Sequence, residues 1–518
     1  MLNQHLLSLI IFLPLVGAVV LALIPGKFRT QIRWVTLTFS LITLVLCAFM
    51  FACVRGSGEF ELIESLPWIP SLNIYYRVGV DGASMLLVFL AALLSMVSII
   101  VSRREITKRV KLFHILLLVT ETGLLGVFCA IDMFLFYVFW DAALIPICFI
   151  IGIWGSGDRL RIAMKFLIFT MTGSVIMLVA LLYVAAATSS FNLIDWYAHT
   201  FAPTEQLWLF AGFAIAFAIK APLIGFHSWL PDAHTEAPTA GSVLLAGVLL
   251  KMGTYGFFRF AIPLFPQAMK TLSPLLLTLA VAGIIIGALL AMVQIDLKRL
   301  IAYSSISHMG FVLLGLFAVE RYAATGAVLQ MVNHGIITGG LFIMAGFLYE
   351  RRRTRLIADY GGSARSFPIL AVFFMLMALA SLGLPGLSGF AGEFILLLGS
   401  FQTKTSYTAV AIIGVVLTAV YLIWVIQRVF FGPLKHDEER KMSDMRAREI
   451  ACMLPLVIIV VLIGVWPKLA LEKIWRPADA FVSLAKRGQL IVPVEPGANE
   501  IPNSKSQIPD KYQIPMTE

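Results

Sequence analysis

The chain has 518 residues, of which 60% are hydrophobic and only 13% charged, with a formal net charge of +10. A water-soluble domain exposes more charge than this, and no basic stripe interleaved with exposed aromatics points to nucleic acid. The five cysteines form no CxxC, CxxCH or Cys/His ladder. Iron–sulfur, haem and zinc centres therefore find no support, and the cysteines read as small buried hydrophobes.

Apolar runs long enough to cross a bilayer recur from end to end, which predicts an all-α polytopic membrane protein with about fourteen spans. They fall at 4–24, 32–53, 80–101, 111–129, 132–153, 160–187, 206–224, 239–262, 272–293, 300–318, 323–348, 368–400, 407–431 and 447–466. The first run has no Lys or Arg before it and Lys27, Arg29 and Arg33 after it. That is the pattern of a retained helix rather than a cleaved signal. Further positives cluster in alternate loops: Arg103 to Lys111, Arg159/Arg161, Lys298/Arg299, Arg351 to Arg355, and Lys435 to Arg448. The loops between carry few, among them Arg55, Arg77, Lys270, Arg321 and Lys404. The bias places the basic loops inside and both termini outside, which in a bacterial inner membrane would be the periplasmic side.

One inside loop breaks the pattern. Residues 226–238 hold no Lys or Arg, but carry His227, Asp232, His234 and Glu236, with Pro222, Pro231 and Pro238 in and around the segment. Proline at this density cannot sit in a continuous helix, so the segment reads as the second half of a broken helix folded back among its neighbours. The twelfth run is too long for one plain helix and is interrupted at Ser381–Phe390, followed by Glu393. Two broken spans, five spans apart and each beside an intramembrane charge, suggest two inverted five-span repeats. The chain then divides into 1–110 (the first three helices), 111–262 and 263–431 (the repeats), 432–466 (the last helix) and 467–518. In the last part, Lys468–Lys486 has the mixed character of an interfacial amphipathic helix, and 488–518 has a disordered composition.

Ionisable residues inside the apolar runs are the candidates for function. An ammonium at membrane depth costs on the order of 3 kcal/mol, so Lys220 and Lys251, so close together, call for a use. Asp141 has no basic residue within ten positions either side and must be neutral or find a cation from another helix. Lys220 is its natural partner: burial disfavours the ammonium, a nearby carboxylate favours it, and moving the carboxylate changes the balance toward proton release. Lys251 is either a snorkelling side chain or the next relay. His334 and His308 are shuttles or satisfied core histidines, and Glu121 is relay or structural. Glu393 is the counterpart of Lys220 beyond the second break and a terminal exchange site. Asp232, His234 and Glu236 have the residue types of metal ligands without a recognised spacing, and with His227 fit better as the lining of a hydrated half-channel.

Several runs together resemble a known family. KAPLIGFHSWLPDAHTEAPTAGSVLLAGVLLKMG at 220–253, Trp140–Asp141, DLKRLIAYSSISHMG at 296–310 and VNHG at 332–335 are similar to the antiporter-like subunits of respiratory complex I. The resemblance implies fourteen core helices, two inverted five-helix repeats, and broken helices seven and twelve. It implies a proton path through Asp141, Lys220, Lys251 and Glu393. A glutamate in GLSGFAGEFILLLGSF, where L- and N-type relatives carry lysine, favours the M (subunit 4) type. The family's usual glutamate is here Asp141, whose carboxylate is held back by about 1.5 Å, enough to lengthen an ion pair or interpose a water.

The resemblance also implies that NADH, FMN, iron–sulfur clusters and quinone reside in partner subunits, with no cofactor or metal in this chain. The partners it implies are L-type, N-type and small membrane subunits of the same complex. The competing readings are a subunit of a multi-chain sodium/proton antiporter, a hydrogenase- or ferredoxin-linked pump, and a scaffold.

Overall fold

The computed structural model describes residues 5–435 and 442–487. The apolar runs fold as helices because, in oil, a helix is the one open-ended way to satisfy every backbone N–H and C=O within a segment. The chain opens with α1 (Leu6–Leu23) and α2 (Arg29–Cys53).

An antiparallel hairpin follows, β1 (Glu61–Ile69) with β2 (Ile74–Val80), paired through Ser65↔Arg77 and Leu66↔Tyr76. This corrects the all-α expectation. The hairpin lies in a polar connection where hydropathy reads only a loop, and its sign is the β-branched and aromatic content of 74–80. Its turn passes through Asn73 in the left-handed region, φ 56°.

Next come α3 (Gly82–Glu105), α4 (Val110–Cys129), α5 (Met133–Trp154), α6 (Arg159–Thr188) and the short α7 (Leu193–Ala198). Asp81 caps α3 through Ser84 N, and Asp132 caps α5 by accepting from Phe134 N and Leu135 N, both at 3.0 Å. The first interrupted pair is α8 (Pro203–Lys220) and α9 (Trp229–Glu236). After α10 (Thr239–Leu264) come α11 (Pro266–Met292), α12 (Leu297–Phe317) and α13 (Arg321–Arg352). The second interrupted pair, α14 (Pro368–Ser381) and α15 (Ser388–Thr403), precedes α16 (Thr405–Phe430), α17 (Ala447–Val465) and α18 (Lys468–Lys486).

Twelve helices among the described residues are long and apolar enough to cross a membrane, α7, α8, α9, α14, α15 and α18 standing outside that number. Layering follows burial. α10 and α13 are enclosed along their whole apolar stretch and α3 and α12 nearly so, while α2, α16 and α17 turn most of theirs outward. The outward faces remain oily, with Val45, Phe149, Val179, Val416 and Ile458 exposed, as a lipid-facing surface requires.

Both interruptions are closed by side chains. At the first, Pro222 has no N–H to give, Gly225 takes φ +97°, and the carbonyl of Ile219 is recovered by Trp229 Nε1 at 3.0 Å. At the second, Gly383 and Gly386 take φ +82° and +93°, and Asn333 Nδ2 bonds Ser388 O at 2.6 Å. Within α10, two π-helical stretches, Leu245–Leu249 and Phe257–Ala261, flank the turn carrying Lys251. Such widened turns are frequent at functional sites.

The basic loops interlock on one face. Arg33 reaches Ile106 O (2.9 Å), Arg355 pairs Asp296 (3.1 Å), and Arg351 pairs Glu449 (2.6 Å). The loop without lysine or arginine is explained here: Asp232 bridges Lys165 (2.8 Å) and Arg299 (3.3 Å), and Glu236 accepts from Ser156 Oγ at 2.7 Å. Its positive partners come from neighbouring elements, which no reading of the loop alone can see. On the opposite face α18 lies across the bundle, with Phe481 stacked on Phe258 at 4.9 Å and Asp479 paired with Arg321 at 2.9 Å. The expected disordered tail, 488–518, and residues 436–441 of the last basic loop lie outside the described residues.

Candidate functional site

Lys251 is fully enclosed, so its charge does not snorkel. Its ammonium donates to Ala246 O within α10 and meets His334 Nδ1 of α13 at 2.7 Å. A lysine donating there requires the neutral ring to carry its proton on Nε2, which has no partner among the described residues. The ring of His308 on α12 follows, 5.8 Å away between centroids. Its Nδ1 sits 2.9 Å from Glu393 Oε1, and its Nε2 is 3.1 Å from Ser381 Oγ. Gln330 Nε2 donates to the same carboxylate oxygen at 2.9 Å. The second break makes this cluster possible. Ser381 ends α14 and Glu393 lies in the second turn of α15, so the interruption brings a hydroxyl and a carboxylate to one imidazole.

The first half is arranged differently. Lys220, the last residue of α8, is 1% exposed, and its Nζ lies 3.3 Å from Trp140 O and 3.6 Å from the centre of the Trp140 ring. Asp141 accepts from Ser174 Oγ of α6 at 2.7 Å and is half-buried. No ion pair within 4.0 Å joins Asp141 to Lys220 among the described residues; Lys220 instead contacts Trp140, the residue before Asp141. The cause is helical: successive residues of α5 point about 100° apart, so Trp140 faces α8 while Asp141 turns to α6. The end of α8 also packs against α10 two residues past Lys251. A Cβ on Gly253 would stand 2.5 Å from Ala221 N and 2.6 Å from Phe217 O.

The remaining candidates separate. His234 on α9 is buried, stacked on Phe342 at 4.8 Å, and neither ring nitrogen has a hydrogen-bond partner among the described residues. His227 lies in the first break, partly exposed, accepting from Gly225 N at 3.3 Å. Glu121 is fully buried on α4, where Ser40 Oγ of α2 donates at 3.0 Å, and it touches no member of the file from Lys251 to Glu393. Among the described residues no group of three or more His, Cys, Asp or Glu side chains is placed to hold a metal.

Sequence reasoning did not pick out Gln330 or Ser174, and named Trp140 and Ser381 only as parts of a motif and a break. Gln330 had a usable signal, since it stands four residues before His334 and shares its helix face. It also missed a buried ion pair toward the α18 face, Arg259 with Asp81, where the guanidinium lies over the rings of Phe60, Tyr255 and Phe258.

A file of lysine, two histidines and a carboxylate, enclosed by apolar helices and joined in part by hydrogen bonds, can hold and pass protons. Comparison with known proteins bears on which proteins use such a file. The NADH-quinone oxidoreductase subunit M of Rhodobacter capsulatus is 42% identical over 492 residues, spanning 91% of this chain and 95% of its own. A chain of respiratory complex I from Thermus thermophilus is 35% identical, with a TM-score of 0.86 over 92% of this chain and 99% of its own. A chain of the Mrp complex from a Dietzia species, 19% identical with a TM-score of 0.81, covers 94% of this chain and 99% of its own, and shares the fold. Residues 130–418, more than half of the chain, match the NADH:quinone oxidoreductase/Mrp antiporter transmembrane family, and the chain belongs to it.

Proposed function

We propose that this chain is the M-type proton-translocating subunit in the membrane arm of an NADH:quinone oxidoreductase. The observation that carries the proposal is the buried file Lys251–His334–His308–Glu393, which runs from α10 through α13 and α12 to α15 with contacts of 2.7 and 2.9 Å. Identity of 42% to a subunit M, against 19% to an Mrp chain, favours this reading over a sodium/proton antiporter.

Counting each interrupted pair as one crossing gives fourteen spans, with α4 to α10 and α11 to α16 as inverted repeats and the divisions at 111–262 and 263–431. The basic face is cytoplasmic and the α18 face periplasmic. Protons arrive near Asp141 and Lys220, with His227 and His234 lining the approach. Lys251 gives its proton to His334 Nδ1. A ring rotation or an intervening water spans the gap to His308, and Glu393 receives the proton through His308 Nδ1. NADH, FMN, iron–sulfur clusters and quinone belong to partner subunits, which drive the file by shifting the charges at its ends. L- and N-type subunits and small membrane subunits are the expected neighbours.

The test is Lys220→Ala in the whole complex, with assembly checked by the co-purifying subunits. NADH-driven proton uptake by proteoliposomes is expected to fall by about tenfold or more. Uptake equal to the parent's would leave a scaffold. A defect confined to sodium tolerance would leave the antiporter reading.

A further inference from the structure

We propose that the basic face carries a binding site for the phosphodiester headgroup of an anionic phospholipid, in a cavity where α4, α5 and α6 end. The cavity measures 530 Å³ and is lined by Lys108, Arg109, Trp154, Arg159, Leu160 and Glu105 among others. The site rests on the orientation given above, which sets this face in the cytoplasmic leaflet.

The charge in the cavity is unspent. The Lys108 and Arg109 side chains are exposed and have no hydrogen bond or ion pair among the described residues. Arg159 commits one nitrogen, to Ile153 O (3.1 Å) and Gly155 O (3.4 Å), and keeps the rest of its fork. The one carboxylate in the wall is already engaged: both oxygens of Glu105 accept from Thr239 N, at 3.2 and 3.0 Å. Three cations against one occupied anion make the cavity a receptor for a phosphate group.

A free phosphate would leave the surrounding surface unexplained. Trp154 stands at the rim, its Nε1 bonded to Lys108 O at 2.8 Å and its ring against Phe113 at 5.0 Å. An indole so placed marks the level where headgroups meet acyl chains. Two rows lead away from the cavity into the apolar belt. On α5 they are Ile145 (46% exposed) and Phe149 (54%), and on α6 Leu160 (70%) and Met164 (52%). Spacing of four residues puts each pair in line along its helix. Anionic head and long apolar tails together match the cavity and the rows, which is the chemistry of an anionic phospholipid and of no small anion.

The experiment uses the intact complex in nanodiscs of phosphatidylcholine. These contain either a phosphatidylglycerol or a phosphatidylcholine probe with a photoactivatable diazirine in its acyl chain. Labelled peptides are mapped by mass spectrometry, with α16 as the internal reference for general lipid contact. The phosphatidylglycerol probe is expected to label 145–164 about fivefold more than the phosphatidylcholine probe, and K108Q/R109Q/R159Q is expected to remove that excess. The charge-keeping variant K108R/R109K/R159K is expected to retain it. Equal labelling by the two probes overturns the site, as does an excess that survives the glutamine substitutions. So does absence of label on the unaltered complex, which would mean a neighbouring subunit covers the cavity. Loss of the excess on adding inorganic phosphate would make it a phosphate site instead. If the glutamine variant does not assemble, the two-probe contrast on the unaltered complex decides. NADH-driven pumping, measured on the same preparations, reports separately on the proposed function.

Discussion

Glu393 touches His308 at 2.9 Å, whereas in the first half Lys220 meets Trp140 and the Asp141 carboxylate meets Ser174. In the second half the carboxylate is also held by Gln330, and the imidazole by Ser381, so this cluster is assembled by the fold itself. In the first half the ammonium rests on an indole and a carbonyl, a cation–π contact worth about 0.5–2 kcal/mol. Under the proposed function, the difference gives the two ends different work. Glu393 is wired in place, while the charge on Lys220 is left open to whatever moves Asp141.

Substitutions test this contrast directly. Glu393→Gln removes the carboxylate that His308 and Gln330 share, and NADH-driven proton uptake is expected to fall by about tenfold or more, with Glu393→Asp retaining part of it. Uptake near the parent's level in the glutamine variant would show that the wired half is not the conducting one. Gly253→Val drives a side chain into Ala221 N and Phe217 O. It should destabilise the region by about 1–3 kcal/mol and part α8 from α10. A lowered melting temperature of the assembled complex, with reduced uptake, is the expected result. An unchanged pair of values would mean the two helices do not need to touch.

Smaller effects are expected where the first half is loosely held. Trp140→Leu takes away the ring beneath Lys220 but keeps the backbone carbonyl, and uptake should fall by about threefold. A loss as large as that of Glu393→Gln would make Trp140 a member of the path rather than a holder of the lysine. Smallest of all is Glu121→Gln, which preserves the bond from Ser40 and lies off the file. Uptake within about twofold of the parent is expected, and a tenfold loss would add a branch through α4.

The positions of Lys220, Lys251, His308, His334 and Glu393 were legible because ionisable groups are expensive in an apolar helix, and that cost is visible residue by residue. The two breaks were legible from Pro222 and from Gly383, Pro385 and Gly386, which disrupt a helix wherever it packs. Contacts between distant elements were not. Which neighbour of Trp140–Asp141 faces Lys220 depends on the rotation of α5. The partners of Asp232 come from α6 and α12. The β1–β2 hairpin escaped because its alternation is carried in a segment where acids, serine and prolines lower the hydropathy to that of a loop. The π-helical turns around Lys251 have no sequence signature, since packing rather than propensity selects them.

His334 offers the most direct check on the file, because among the described residues it stands between Lys251 and the His308–Glu393 pair. The measurement is NADH-driven proton uptake by proteoliposomes holding the assembled complex with His334→Ala, beside NADH:quinone turnover in the same preparation. Uptake reduced about tenfold or more, with all subunits present, is the predicted result. Uptake and turnover both within about twofold of the parent would contradict a proton route through Lys251, His334 and Glu393.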